Sequence, residues 1–180
     1  VAEINGDWWM TRNLAIGCNG SGSSYGSSAS SKSLTSTYSN VSKAWSTPTA
    51  GLSKGDSYDT PYMTCNSTYG AWYNYAAASA GTITGSSNST AATKDICPAG
   101  WRLPTNTEQS GITSSSTAFS PVTGGRYSNG SISLTGRGYW WSATANGATT
   151  RYLLNWYGSS LNTYYVNRSL GFYVRCIRSS

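Results

Sequence analysis

Residues 152–176, YLLNWYGSSLNTYYVNRSLGFYVRC, decide how the chain is read. Tyr152, Leu154 and Trp156 fall on one parity, and Leu153, Asn155 and Tyr157 on the other. A strand with one wet face needs apolar residues on one parity only. Here the second parity also carries leucine and tyrosine, and what reads as a loop adds Tyr164, Tyr165 and Val166. Aromatic density of that kind predicts contact with a partner, with Tyr152, Leu154 and Trp156 turned into the core. Working outward, GYWWSAT (138–144), RYLLNWY (151–157) and LGFYVRCI (170–177) read as three closing strands. Trp140 takes the core parity in the first of them and Trp141 the outward one. In the last, Phe172, Val174 and Cys176 share one face, opposite Tyr173, Arg175 and Ile177.

Composition supports short strands and long loops in a single domain. The 180 residues are enough for one domain with a real core. Only 10% are charged, so solubility rests on Ser, Thr, Asn and Gly. The 14 Tyr and 8 Trp far exceed the 2 Phe, so much of the apolar surface carries a hydrogen-bonding handle suited to interfaces. The net charge is +6, and beyond Glu108 every charged residue is an arginine. These arginines are scattered, with no run, RNP-like motif or zinc spacing, so nucleic acid is not the expected partner. No stretch reaches the roughly 20 apolar residues of a membrane span. The chain opens on Val1, as a mature or trimmed segment would.

Cys18, Cys65, Cys97 and Cys176 are widely spaced with no CxxC. That pattern fits two structural disulfides in an oxidising compartment, with four buried thiols as the alternative. Residues 19–60 are Ser/Gly-rich and loop-like. YGAWYNYAAAS (69–79) is the best helix candidate of the first half. Thr105 followed by Glu108 has the form of a capping box, which predicts a short helix entered through Pro104. Gly124-Gly125, Asn129-Gly130 and Gly136 mark hairpin turns.

Five of these pieces, WWMTRNL (8–14), YGAWYNYAAAS, DICPAGWRLPTNTE (95–108), GYWWSAT and NRSLGFYVRC (167–176), resemble in order the signatures of one family. It is the Fibrobacter succinogenes major paralogous domain, of the C-type lectin-like superfamily and similar to its formylglycine-generating-enzyme branch. CPAGWRLPT and GFYVRC are its most specific signals, while Gln109 stands where the family usually has Trp. The resemblance implies an α+β domain spanning residues 1–180, with two short helices, small twisted antiparallel sheets and adjacent chain ends. It also implies a secreted or cell-surface location. The expected disulfides are Cys18–Cys65 and Cys97–Cys176.

Many such domains resemble the variable proteins of diversity-generating retroelements, in which template adenines are copied with errors and Asn codons scatter. Relatives often read Asn-Asn-Asn-Asn-Arg-x-Asn-Gly-Phe-Ser-Val-Arg-Cys near the end. Residues 164–176 keep Asn167, Arg168, Gly171, Phe172, Val174, Arg175 and Cys176 of that frame, with Tyr164, Tyr165, Val166, Leu170 and Tyr173 at scattering positions. Residues 139–177 are then a variable ligand-binding region. Its candidate contacts are Trp141, Thr150, Arg151, Leu153, Asn155, Tyr157, Ser160, Tyr164, Tyr165, Val166, Leu170 and Tyr173.

Enzymatic chemistry finds little to use. With no His, a Ser-His or Cys-His relay is impossible. Asp56 and Asp59 sit in a turn-like KGDSYDTP stretch, and Cys176 lacks the second late cysteine of the formylglycine-generating branch. Residues 109–180 hold no carboxylate side chain, so the calcium cage of sugar-binding C-type lectins is absent, and no metal or cofactor is expected. The expected function is non-enzymatic binding of a protein or cell-surface ligand through a diversified face. The alternative is a structural or adhesive surface domain of fixed sequence. Contiguous apolar exposure and a tyrosine-rich face favour a partner in either case.

Overall fold

The structure, a computed structural model, describes residues 1–16, 18, 33–34, 45–46, 49–50, 58, 61–113 and 116–179. The Ser/Gly-rich reading of 19–60 and the Asp56–Asp59 turn lie almost wholly outside those residues. In chain order the elements are β1 (Ala2–Ile4), β2 (Asp7–Trp9), β3 (Ser33–Leu34), β4 (Trp45–Ser46), β5 (Thr49–Ala50), β6 (Tyr62–Asn66) and β7 (Gly70–Tyr73). Three short helices follow, α1 (Tyr75–Ala78), α2 (Asn106–Gly111) and α3 (Ser116–Phe119). Then come β8 (Arg126–Ser128), β9 (Ser131–Ser133), β10 (Arg137–Ala145), β11 (Thr150–Tyr157), β12 (Ser160–Asn167) and β13 (Ile177–Ser179).

The result is a mixed helix-and-sheet domain of small, mostly antiparallel sheets. β13 pairs with β2 beside β1, so the two ends of the described chain share one sheet. Asn5-Gly6 and Asn129-Gly130 close their hairpins with φ between 50° and 83°. Two successive positive φ values define the type I′ turn, and Asn-Gly adopts it with the least steric cost. The capping box forms as expected: Thr105 Oγ1 accepts from the Glu108 N–H, and the Glu108 carboxylate accepts from the Thr105 N–H.

Helix propensity loses to strand pairing over much of residues 69–79. Only Tyr75–Ala78 is helical, capped by the Asn74 side chain accepting from the Ala77 N–H. Before it, β7 pairs with β6, and Tyr73 exchanges backbone hydrogen bonds with Phe172. Aromatic residues suit that extended, fully buried stretch better than a helix. Residues 170–176 likewise form no long strand. They thread between β7 and β10, through the Tyr73–Phe172 pair and the Trp141 N–H to Tyr173 C=O bond.

The main sheet, in the order β10-β11-β12, lies between two hydrophobic cores. Trp141 and Leu153 pair across it and enter the first core, with Tyr73, Tyr75, Phe172, Val174 and the Cys97–Cys176 disulfide. Trp140 and Leu154 pair one residue along and enter the second, with Trp9, Trp72, Phe119, Leu161 and Tyr173. A sheet covered on both faces needs apolar residues on both parities. That is why leucine follows leucine at 153–154. Close packing also fixes Gly138, where a Cβ would lie 2.3 Å from the Trp140 ring and from the Val122 carbonyl.

Three predictions follow from this architecture. Leu153→Ala and Leu154→Ala should each cost about 2–5 kcal/mol, although they point to opposite faces; chemical denaturation checks this, and a near-neutral Leu153→Ala would show its face to be open. The Cys18–Cys65 and Cys97–Cys176 bonds close stretches separated by 47 and 79 residues. In the chain-entropy account each contributes about 4–5 kcal/mol, so reduction should lower the denaturant midpoint steeply. The Arg102 guanidinium, then the Thr105 N–H and hydroxyl, hold the Glu108 carboxyl at about 2, below its ordinary 4.5. A depressed carboxyl stabilises the fold above its ordinary value and loses that contribution as pH falls from about 4.5 to about 2. Glu108→Gln should therefore flatten that part of the acid-unfolding curve.

Candidate binding surface

The β11–β12 hairpin carries most of the candidate contacts. Residues 160–167, read from sequence as loop, form the eight-residue strand β12. Tyr157 and Ser160 flank a two-residue turn, Gly158-Ser159, with φ of 64° at Gly158. A glycine with positive φ first in a two-residue turn fits type II′, whose twist matches the strands. That Gly-X pair was the available signal for the hairpin.

Register sorts the side chains. Directly opposite residues share a face, so Arg137, Tyr157 and Ser160 lie together, then Tyr139, Asn155 and Asn162, then Trp141, Leu153 and Tyr164. Along each row exposure rises toward β12, because the first core covers β10 and the middle of β11 and leaves the edge strand open. Tyr157 is 59% exposed, Tyr164 57% and Tyr165 49%. The Arg137 guanidinium lies 4.0 Å from the Tyr157 ring centroid, a cation–π contact that orients the ring. The Tyr164 and Tyr165 rings stack at 5.3 Å, and Tyr165 meets Tyr152 edge-on at 6.1 Å.

Several expected contacts are instead structural. Trp141, Leu153 and Tyr173 are fully buried, because the sheet has a core on each side and Tyr173 packs against Trp72 and Trp140. Arg151 is also buried. Its guanidinium donates to the carbonyls of Gly147, Thr150, Asn88 and Thr90, and burial draws its pKa below the ordinary value. Val166 and Leu170 are half-buried against the first core, and Thr150 is half-buried at the start of β11. On the supposed core parity, Leu154 is fully buried, but Trp156 and Tyr152 are only half-buried.

What the structure leaves in solvent is Tyr157, Ser160 and Tyr164 on one face, with Asn155 half-buried among them, and Tyr165 on the other face, its ring stacked on that of Tyr164. Asn155 Oδ1 is itself buried and has no hydrogen-bond partner among the described residues. Asn162, exposed on the same face, escaped the sequence reading, which had placed it in a loop. Beside the edge runs an open groove of about 610 Å³, with Ser110 and Thr113 on one wall and residues 159–163 on the other. Its lining is hydroxyl and amide rather than charge.

Elsewhere, Arg168 and Arg175 are buried and donate to backbone carbonyls, of Ala148, Ile83 and Gly85 and of Phe119 and Ser120 respectively. Among the described residues no three His, Cys, Asp or Glu side chains gather where a metal ion could be held. No helix among them is long and apolar enough to cross a membrane. No protein-family model, curated protein or solved structure matches this chain.

Proposed function

We propose that this chain is a non-enzymatic binding module of C-type lectin-like fold, secreted or displayed at a cell surface. Its β11–β12 hairpin recognises a protein or surface ligand and is diversified as in retroelement variable proteins. One observation carries the reading: among the described residues, Tyr157, Tyr164 and Tyr165 are the large aromatics left exposed, and all three sit on this hairpin. Tyrosine supplies contact area at low conformational cost, and exposed apolar clusters mark interaction sites. Two disulfides, a bond more usual outside the cell, support the location. Burial of Arg151, Arg168 and Arg175 takes three of the late cations away from any phosphate backbone, which favours a partner other than nucleic acid.

A domain of the same fold with a fixed adhesive contact is the second reading. Arg137 over Tyr157 and Tyr152 against Tyr165 favour it, because they pre-order the rings as a constant contact would require. DNA flanking the gene separates the two. Diversification requires a nearby reverse transcriptase and a near-copy of the codons for residues 139–176 that differs at adenines; without them the face is fixed. Under either reading the double variant Tyr157→Asn, Tyr164→Asn should keep its melting temperature, since exposed substitutions cost within about 0.5 kcal/mol each. It should lose adhesion to any cell or surface that retains the unaltered domain, because aromatic anchors carry most interface energy. Adhesion unchanged in the double variant would place the binding surface elsewhere.

A further inference from the structure

The backbone edge of β12 offers a second surface, beside the exposed rings of the first. β12 is the outer strand of the order β10-β11-β12. Because Tyr157 and Ser160 flank a two-residue turn, they form a hydrogen-bonded pair. Alternation then turns the backbone N–H and C=O of Leu161, Thr163 and Tyr165 away from β11. None of these groups bonds another described residue. Natural edges are guarded against pairing by Lys, Pro, bulges or very short strands. β12 runs eight residues in unbroken register with β11 and contains no Pro and no charged side chain.

The geometry points to a second copy of this chain as the occupant, its β12 pairing antiparallel with the first about a two-fold axis through Thr163. In that register Thr163 faces Thr163 of the second copy, and Leu161 faces its Tyr165. Each such pair exchanges two backbone hydrogen bonds; the Leu161 side chain stays in the second core, and the half-buried Thr163 meets its own copy as a Thr–Thr pair, a favourable neighbour across strands. The chain carries a net +6, which opposes self-association in general, yet this strand is neutral along its whole length. The groove supports the same axis. It flanks β12 only as far as Thr163, the half that would receive residues 163–167 of the second copy. Tyr164 and Tyr165, about half exposed, can turn aside without loss of core packing. The two sheets would become one, joining the two ligand faces side by side. This inference goes beyond the proposed ligand contact and does not depend on it.

Sedimentation over a concentration series tests it. The unaltered chain should show a monomer–dimer equilibrium. Thr163→Lys and Thr163→Glu should each be monomeric, because position 163 faces itself and like charges would meet at the axis. An equimolar mixture of the two should restore the dimer. Thr163→Pro removes the outward N–H without removing a β11–β12 hydrogen bond, though it also fixes φ, and should also be monomeric; if it fails to fold, the charged pair decides alone. Tyr157→Asn, off the edge, should leave the dimer intact, so loss of ligand adhesion and loss of the dimer are read apart. A natural chain that stays monomeric throughout, a Thr163→Lys chain that still dimerises, or a mixture that stays monomeric overturns the proposal.

Discussion

Everything in this domain depends on two adjacent tryptophans that point opposite ways. Trp140 and Trp141 sit on the central stretch of β10, and each is essentially fully buried. A strand can bury neighbouring residues only if something lies on each of its faces. Trp141 packs on Phe172 at 4.6 Å and Tyr75 at 5.2 Å, and its indole N–H donates to the Tyr73 carbonyl. Trp140 packs on Phe119 at 5.0 Å, and its N–H donates to Asn13 Oδ1. Each ring therefore buries a large apolar area and still satisfies its one donor. The sheet thereby divides the hydrophobic material into two cores without leaving a polar orphan at either ring.

Loops are tied to those cores by buried polar groups rather than by regular structure. Asn13 accepts from both Trp140 and Arg175 and donates to the Tyr69 carbonyl, linking the N-terminal segment, the second core and the last segment. Asp95 accepts from the N–H groups of Cys97 and Leu103, which fixes the CPAGWRLP turn around the disulfide. Gln109 donates to the carbonyls of Trp140 and Trp141, and so anchors α2 to β10. A Trp at that position could not make both bonds, since an indole has one donor. Buried groups of this kind are costly when unpaired, so each link is specific as well as cohesive.

How much of this was legible in the sequence follows from the range of each interaction. The Thr105–Glu108 box and the Asn129-Gly130 turn are local, and both were read correctly. Gly70–Tyr73 was misread because strand pairing with Met63–Asn66, and of Tyr73 with the distant Phe172, outweighs helix-compatible neighbours. Leu153 and Trp141 were misread for a different reason. Alternation assumes one wet face, and a strand with two apolar parities is either exposed or sandwiched. Nothing local distinguishes those cases; the answer lies in segments such as residues 172–176, which arrive to cover the second face.

The same geometry bears on the proposed recognition surface at the hairpin end. Burial falls along β11 from Leu153 and Leu154 to Tyr157, as the strand passes beyond both cores. Past that point, side chains add little to stability, and the backbone is held by the turn and by β10 and β12. The tip's main chain is thus held by strand pairing, while the Tyr157 and Ser160 side chains belong to neither core. That combination lets a surface change its chemistry without changing its shape. At Leu153, two rungs back, the identical backbone offers no such freedom, because any change there is felt by Trp141 and the first core.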